Sequence, residues 1–326
     1  MDEITPATGK PQSRLAWIFI GRDGLRAGWS LILFVALIMA LTYGMLHLLR
    51  ALHPGSLSAA SGMAPGDATL QEGLSLAVVV IAALIMSLIE RRRFARYGIR
   101  ESNRLPDFVK GLGSGLLMLS VLVGLLALTG GIAFGGFAIS GSAIVTYGIE
   151  WLIAFLLVGL FEEFAFRGYL QFTLARGVTG IVRAISPDSA RAPAIGFWVA
   201  AIVFSIILFA LVHTGNGGET LMGIAAVSLA GLVFVFSLWW TGSLWWAIGF
   251  HCAWDWAQSY LYGVADSGLI SEGHLLISHA TGSALLSGGT TGPEGSILVV
   301  PVLLATLVLI WKTMPRRPAP GLDGEA

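Results

Sequence analysis

Two adjacent glutamates and an arginine, Glu162, Glu163 and Arg167, interrupt FEEFAFRGYL (161–170), a stretch otherwise apolar enough to cross a bilayer. At a helix centre each such charge opposes insertion by roughly 2.5–3.5 kcal/mol, so the three together oppose it by on the order of 10 kcal/mol unless they pair or face water. Glu163 and Arg167 stand at i and i+4 with the acid first, the favoured order for an intrahelical ion pair. Glu162, turned away by about 100°, is left without a local counter-charge. A lone carboxylate in a partly hydrated apolar cleft is a candidate general base for water. The structural alternative is that both glutamates only lock helices together.

Two further stretches supply imidazoles. In FALVH (209–213), His213 closes an apolar run and is followed at once by the helix-breaking TGNGGE. In HCAWD (251–255), His251 and Asp255 lie one turn apart on one helix face, a spacing by which a carboxylate orients an imidazole or two ligands share a metal. Within the tryptophan-rich SLWWAIGFHCAWDW (243–256) this pair needs partners, because polar groups in hydrocarbon do. Cys252 is the one cysteine, which excludes an intrachain disulfide and a CxxC motif. It is expected to be a small core residue rather than a nucleophile, since its side chain points about 100° from that of His251.

The elements that must hold these groups are membrane helices. Of the 326 residues 56% are hydrophobic and only 12% charged, with a mean hydropathy of +0.80; a soluble domain carries about 25% charged residues. The expected fold is therefore all-α, a polytopic helix bundle. Its eight spans are placed near 28–49, 73–90, 108–133, 146–172, 195–213, 219–240, 243–262 and 296–312. Of 19 Lys and Arg residues, all but Arg50 and Arg167 fall before span one, between two and three or in the first turn of three (Lys110), between four and five, or at the last residue of span eight (Lys312) and beyond. By the positive-inside rule those regions, and both termini, are cytoplasmic. GLGSG (111–115) lacks the lysine and strand context of a phosphate loop and reads as a close helix contact. A net charge of zero and the absence of a basic domain exclude nucleic acid as a partner; the arginines at 91–104 read as a topology anchor.

The ordered set EExxxR (162–167), FxxxH (209–213) and HxxxD (251–255) resembles the three motifs of the CPBP intramembrane proteases, the family of the type II CAAX prenyl endopeptidases and of bacteriocin-processing and immunity proteins. The resemblance covers about 145–312, including the GPEG turn before the last helix. Span placement and charge asymmetry give a cytoplasmic segment 1–27, three N-terminal helices over 28–133 that add only hydrophobic character, and a cytoplasmic tail 313–326, in a cell membrane of the bacterial inner-membrane kind; the resemblance makes 145–312 the catalytic membrane domain. It also implies hydrolysis of a peptide or lipidated protein in a cavity open to the cytoplasm. By this resemblance Glu162 activates water with His213 as partner, His251 and Asp255 steady the oxyanion, and Glu163 with Arg167 supports the site. Many members carry Asn where this chain has Asp255, so an aspartate here must be protonated, orient His251, or bind a metal.

Two histidines and two carboxylates, Glu162, His213, His251 and Asp255, could hold Zn²⁺. Equally, Glu162 and His213 could polarise water unaided, and the lack of an HExxH pair favours this version. Depth poses a difficulty. A fifth span running regularly from the cytoplasm puts His213 about 10–15 Å from Glu162 and His251 in depth; either its helix is short, tilted or starts deep, or His213 is not part of the site. Rival functions are a noncatalytic scaffold or immunity protein and a proton-coupled transporter, although no repeated halves are visible.

Overall fold

The computed structural model describes residues 18–21, 24–52, 63–99, 103–215, 218 and 220–317. Most of the expected N-terminal segment and the tail beyond residue 317 lie outside them. The chain forms a polytopic helix bundle. Among the described residues six helices are long and apolar enough to cross a bilayer: α1 (Ala27–Leu52), α2 (Pro65–Glu90), α3 (Arg104–Leu128), α4 (Ser142–Ile185), α5 (Ala192–His213) and α6 (Leu221–Thr241). Two shorter ones complete the expected order. They are α7 (Trp245–Trp256), extended by a π-helical stretch over Ala257–Leu261, and α8 (Val299–Thr313). Between them, β1 (Ile132–Phe137) and β2 (Leu276–Ala280) pair antiparallel, with Ile132 opposite Ala280 and Phe137 opposite Leu276.

Small residues set the closest approaches. Gly111 and Gly115 on α3 lie against the carbonyls of Trp246 and Phe250 on α7, while Gly249 of α7 lies against the carbonyl of Phe108; a Cβ at any of the three would collide with that backbone. This is the small-residue packing expected where apolar lipid gives helices no hydrophobic reason to associate. Gly231 of α6 likewise abuts the Ser205 carbonyl of α5.

Helix α4 runs well past its predicted end at residue 172, to Ile185. At ~1.5 Å per residue its 44 residues extend ~66 Å, about twice a bilayer core. Its last part forms an antiparallel hairpin with α5, in which Gly196 sits against Ala175 and Thr179. Arg176 ties this hairpin to its surroundings, donating to the Leu25 carbonyl at 3.2 Å and pairing with Glu90 at 3.5 Å.

Basic helix ends gather at this same end of the bundle. Arg317 grips Asp107 at the start of α3 at 2.8 Å, Trp240 bonds the Met314 carbonyl at 3.0 Å, and Trp245 bonds the Ile99 carbonyl at 3.3 Å. The opposite end is joined through β1 and β2, through Trp151 Nε1 donating to the Glu272 carbonyl at 2.8 Å, and through Glu272 N donating to the Met63 carbonyl at 3.0 Å. Among the described residues Arg50 is the basic side chain at that end.

Candidate active site

The antiparallel hairpin decides where His213 lies. Seventeen residues on from Gly196 comes His213, and seventeen back from the midpoint of Ala175 and Thr179 comes Leu160. The depth difficulty therefore disappears. Glu162 is not near the end of its helix but midway along it, and α5 returns His213 to the same level.

Glu162, His213, His251 and Asp255 all line one cavity of about 250 Å³, together with Phe209, Phe234 and Trp254. Three helices supply the four groups: α4 gives Glu162, α5 gives His213, and α7 gives the i, i+4 pair His251 and Asp255. Glu163, one residue on, points into the bundle and is fully buried, as is Arg167 at 2% exposure.

A chain of contacts connects the charges. Arg167 Nη1 donates to Glu163 Oε1 at 3.0 Å, and the same oxygen faces His251 Nδ1 at 3.1 Å. His251 Nε2, on the other side of the ring, lies 3.5 Å from Asp255 Oδ2 and 3.8 Å from Glu162 Oε2. The orienting oxygen thus comes from Glu163, not from Asp255 as the HxxxD spacing suggests. Nδ1 is held at hydrogen-bond distance, whereas Nε2 has only long contacts and faces the cavity. Among the described residues Glu162 Oε2 is buried without a hydrogen-bond partner.

Phe209 explains why FxxxH reads as a unit. Its carbonyl accepts from His213 Nδ1 at 2.7 Å. A carbonyl can only accept, so Nδ1 carries the proton, and in the neutral ring Nε2 is the basic nitrogen. The Phe209 ring lies 3.9 Å from the Arg167 guanidinium carbon, and Phe234 covers the same group at 5.0 Å. Phe234 also stacks on His251 at 5.2 Å between centroids. Two aromatic faces thereby shield a buried cation whose Nε and Nη2 have no hydrogen-bond partner among the described residues, an arrangement worth about 2 kcal/mol per desolvated contact.

The helices are locally unwound at the site. Residues Phe164–Leu170 of α4, which carry Arg167, and Ala201–Leu208 of α5 are π-helical. Such turns are rare and concentrate at functional sites, because they widen the helix and re-aim side chains. The two segments meet where Ser205 donates to Gln171 Oε1 at 2.7 Å.

Three more carboxylates line the cavity that the motifs did not reveal: Glu72, Asp266 and Glu294. Glu294 belongs to the GPEG turn and accepts from Trp254 Nε1 at 2.9 Å. Asp266 accepts from Ser259 at 3.0 Å; burial raises its pKa to about 6 against that hydrogen bond, which lowers it. Glu72 stands on the second turn of α2, which starts at Pro65 rather than 73. Among the described residues no Lys or Arg lines the cavity. Cys252 is fully buried.

The zinc expectation fits the donors poorly. Among the described residues no three His, Cys, Asp or Glu side chains are disposed to hold a metal ion. The arrangement instead provides a carboxylate with one oxygen free of hydrogen bonds among the described residues, an imidazole with one fixed nitrogen, and a second imidazole facing the cavity. Residues 143–257, which hold all three motifs, match a family model described as Rce1-like, type II CAAX prenyl endopeptidase Rce1-like. No curated protein and no solved structure matches the chain.

Proposed function

We propose that this multi-pass membrane chain, whose residues 143–257 match the Rce1-like type II CAAX prenyl endopeptidase family model, is an endopeptidase of the CPBP kind that hydrolyses a peptide bond of a membrane-associated substrate at Glu162. The observation that carries the reading is the convergence of Glu162, His213, His251 and Asp255 on one cavity. Water held between Glu162 and His213 Nε2 gives its proton to the carboxylate as its oxygen attacks the scissile carbonyl carbon. The carbonyl π electrons move to oxygen, and the N–H at His251 Nε2 receives this oxyanion. Glu162 then returns the proton to the departing amine as the C–N bond breaks, which leaves a carboxyl and an amino terminus. Glu163 acts on His251 by holding Nδ1, and Arg167 acts on Glu163.

Asp255 is closer to His251 Nε2 than Glu162 is. Its role is to favour the donating form of that nitrogen; an ionised aspartate facing the oxyanion itself would oppose the reaction. The proposal is the glutamate-dependent one, in a cell membrane, with metal content of the purified protein as a separate elemental measurement.

The test is peptide cleavage by purified protein in proteoliposomes. Glu162→Gln keeps size and hydrogen bonding but not basicity, and is expected to lower turnover at least 10²-fold, the lower end of what a general base supplies. Cleavage at the wild-type rate, with normal expression, rejects Glu162 as the base.

A further inference from the structure

Beyond the mid-helix residues of the site, the cavity's lining comes from one end of the bundle. Met63 precedes α2, Glu72 is in its second turn, His213 closes α5, and Ala226 and Val227 belong to the first turns of α6. Asp266, Ser267, Leu269 and Glu294 come from the connections between α7 and α8, and the rim residue Leu269 is 56% exposed. Every one of these lies toward the ends remote from the basic residues.

Between the site and the basic end the helices are solidly packed. One step along each helix from Glu162, His251 and Phe234 come Phe164 and Tyr169, Leu244 and Ile248, and Val235 and Leu238, which pack with Tyr97 into a layer exposed by 4% or less. Below it Glu90 receives Tyr97 and Tyr169 at 3.4 Å each and pairs with Arg176. Glu162 stands fourteen residues from Arg176, ~21 Å of a ~30 Å hydrocarbon core.

We infer that the peptide reaches Glu162 from the arginine-poor face, so that the substrate of the proposed protease is a segment exposed or anchored on the outer, non-cytoplasmic surface of the membrane. With the basic helix ends cytoplasmic, this is opposite to the cytoplasmic opening expected from the sequence. The inference rests on the proposed proteolysis for the nature of the ligand, but its geometry does not.

Three single cysteines test it in the full-length chain, whose native Cys252 is fully buried. Ala230→Cys lies inside the cavity, Ser267→Cys at its rim, and Arg183→Cys on the α4–α5 hairpin at the basic end. A membrane-impermeant, cationic methanethiosulfonate reagent is applied to sealed vesicles from either side. Ala230→Cys and Ser267→Cys are expected to react at least tenfold faster from the face opposite Arg183→Cys, with Arg183→Cys protected in intact cells. Reaction of Ala230→Cys mainly from the Arg183→Cys side, or from neither side, overturns the inference. Labelling of Arg183→Cys in intact cells overturns its cytoplasmic assignment. If Ala230→Cys does not fold, Ser267→Cys, half-buried at the rim, reads the same sidedness. None of these outcomes depends on cleavage, so a protein that still loses turnover in Glu162→Gln but labels from the wrong face keeps the protease and loses the route.

Discussion

Glu163 holds two partners with one oxygen, and removing it leaves both Arg167 and His251 without an anchor. Breaking a buried ion pair costs about 3–5 kcal/mol, because the remaining charge stays buried and uncompensated. Glu163→Ala should therefore lower the melting temperature in detergent sharply. The double variant Glu163→Leu, Arg167→Met should recover most of that loss while remaining inactive, since His251 then lacks its orienting oxygen; a double variant as unstable as the single one contradicts this account. Asp266 offers a test through pH. Its folded pKa of about 6 exceeds the ordinary 3.8, so the folded chain binds this proton more tightly than the unfolded one. That contribution is complete below about pH 4 and is lost as pH rises through 6. Melting temperature followed from pH 4 to 8 should contain a decline over this window that is absent from Asp266→Asn. The four motif residues were legible because charges and imidazoles are costly in an apolar run and so draw notice. Glu72, Asp266 and Glu294 were not, because carboxylates in helix starts and connections are ordinary in a linear sequence and only folding turns them inward.

The contacts between elements rest on missing side chains. Gly115→Leu on α3 would drive a branched side chain into the Phe250 carbonyl and move α7, which carries His251 and Asp255. The loss should exceed the 1–3 kcal/mol usual for overpacking and should abolish cleavage. Gly113→Ala, whose added methyl meets nothing within 4 Å, should be neutral or slightly stabilising by helix propensity. Equal damage from both would mean that α3 and α7 do not pack through these glycines. The GLGSG contact was readable from composition, as were all eight helices, six of them long enough to cross a bilayer. The continuation of α4 to Ile185 was not, because QFTLARGVTGIVRAI (171–185) mixes apolar and basic residues and looks like the end of a span. Hydropathy reports what lipid tolerates, whereas this segment is stabilised by its antiparallel partner α5.

At the scale of the molecule the lining combines five carboxylates with no Lys or Arg. A cleft of one charge sign in low dielectric concentrates the opposite charge. Proteoliposome assays with matched peptides should give a lower KM for a cationic than for an anionic sequence, with the difference shrinking as salt is added; equal KM values at low salt would show that the carboxylates do not select. The distribution of arginines foretold which helix ends lie together, since it depends on chain order alone. It could not tell toward which end the site opens, a property of side-chain packing in the aromatic layer below Glu162. That layer, with Tyr97 and Tyr169 nearly inaccessible, makes the chamber a cul-de-sac. Both fragments must back out through the doorway that admitted the whole, and a hydrated pit reaching deep into the bilayer leaves no conduit along which protons could drain the cell's gradient.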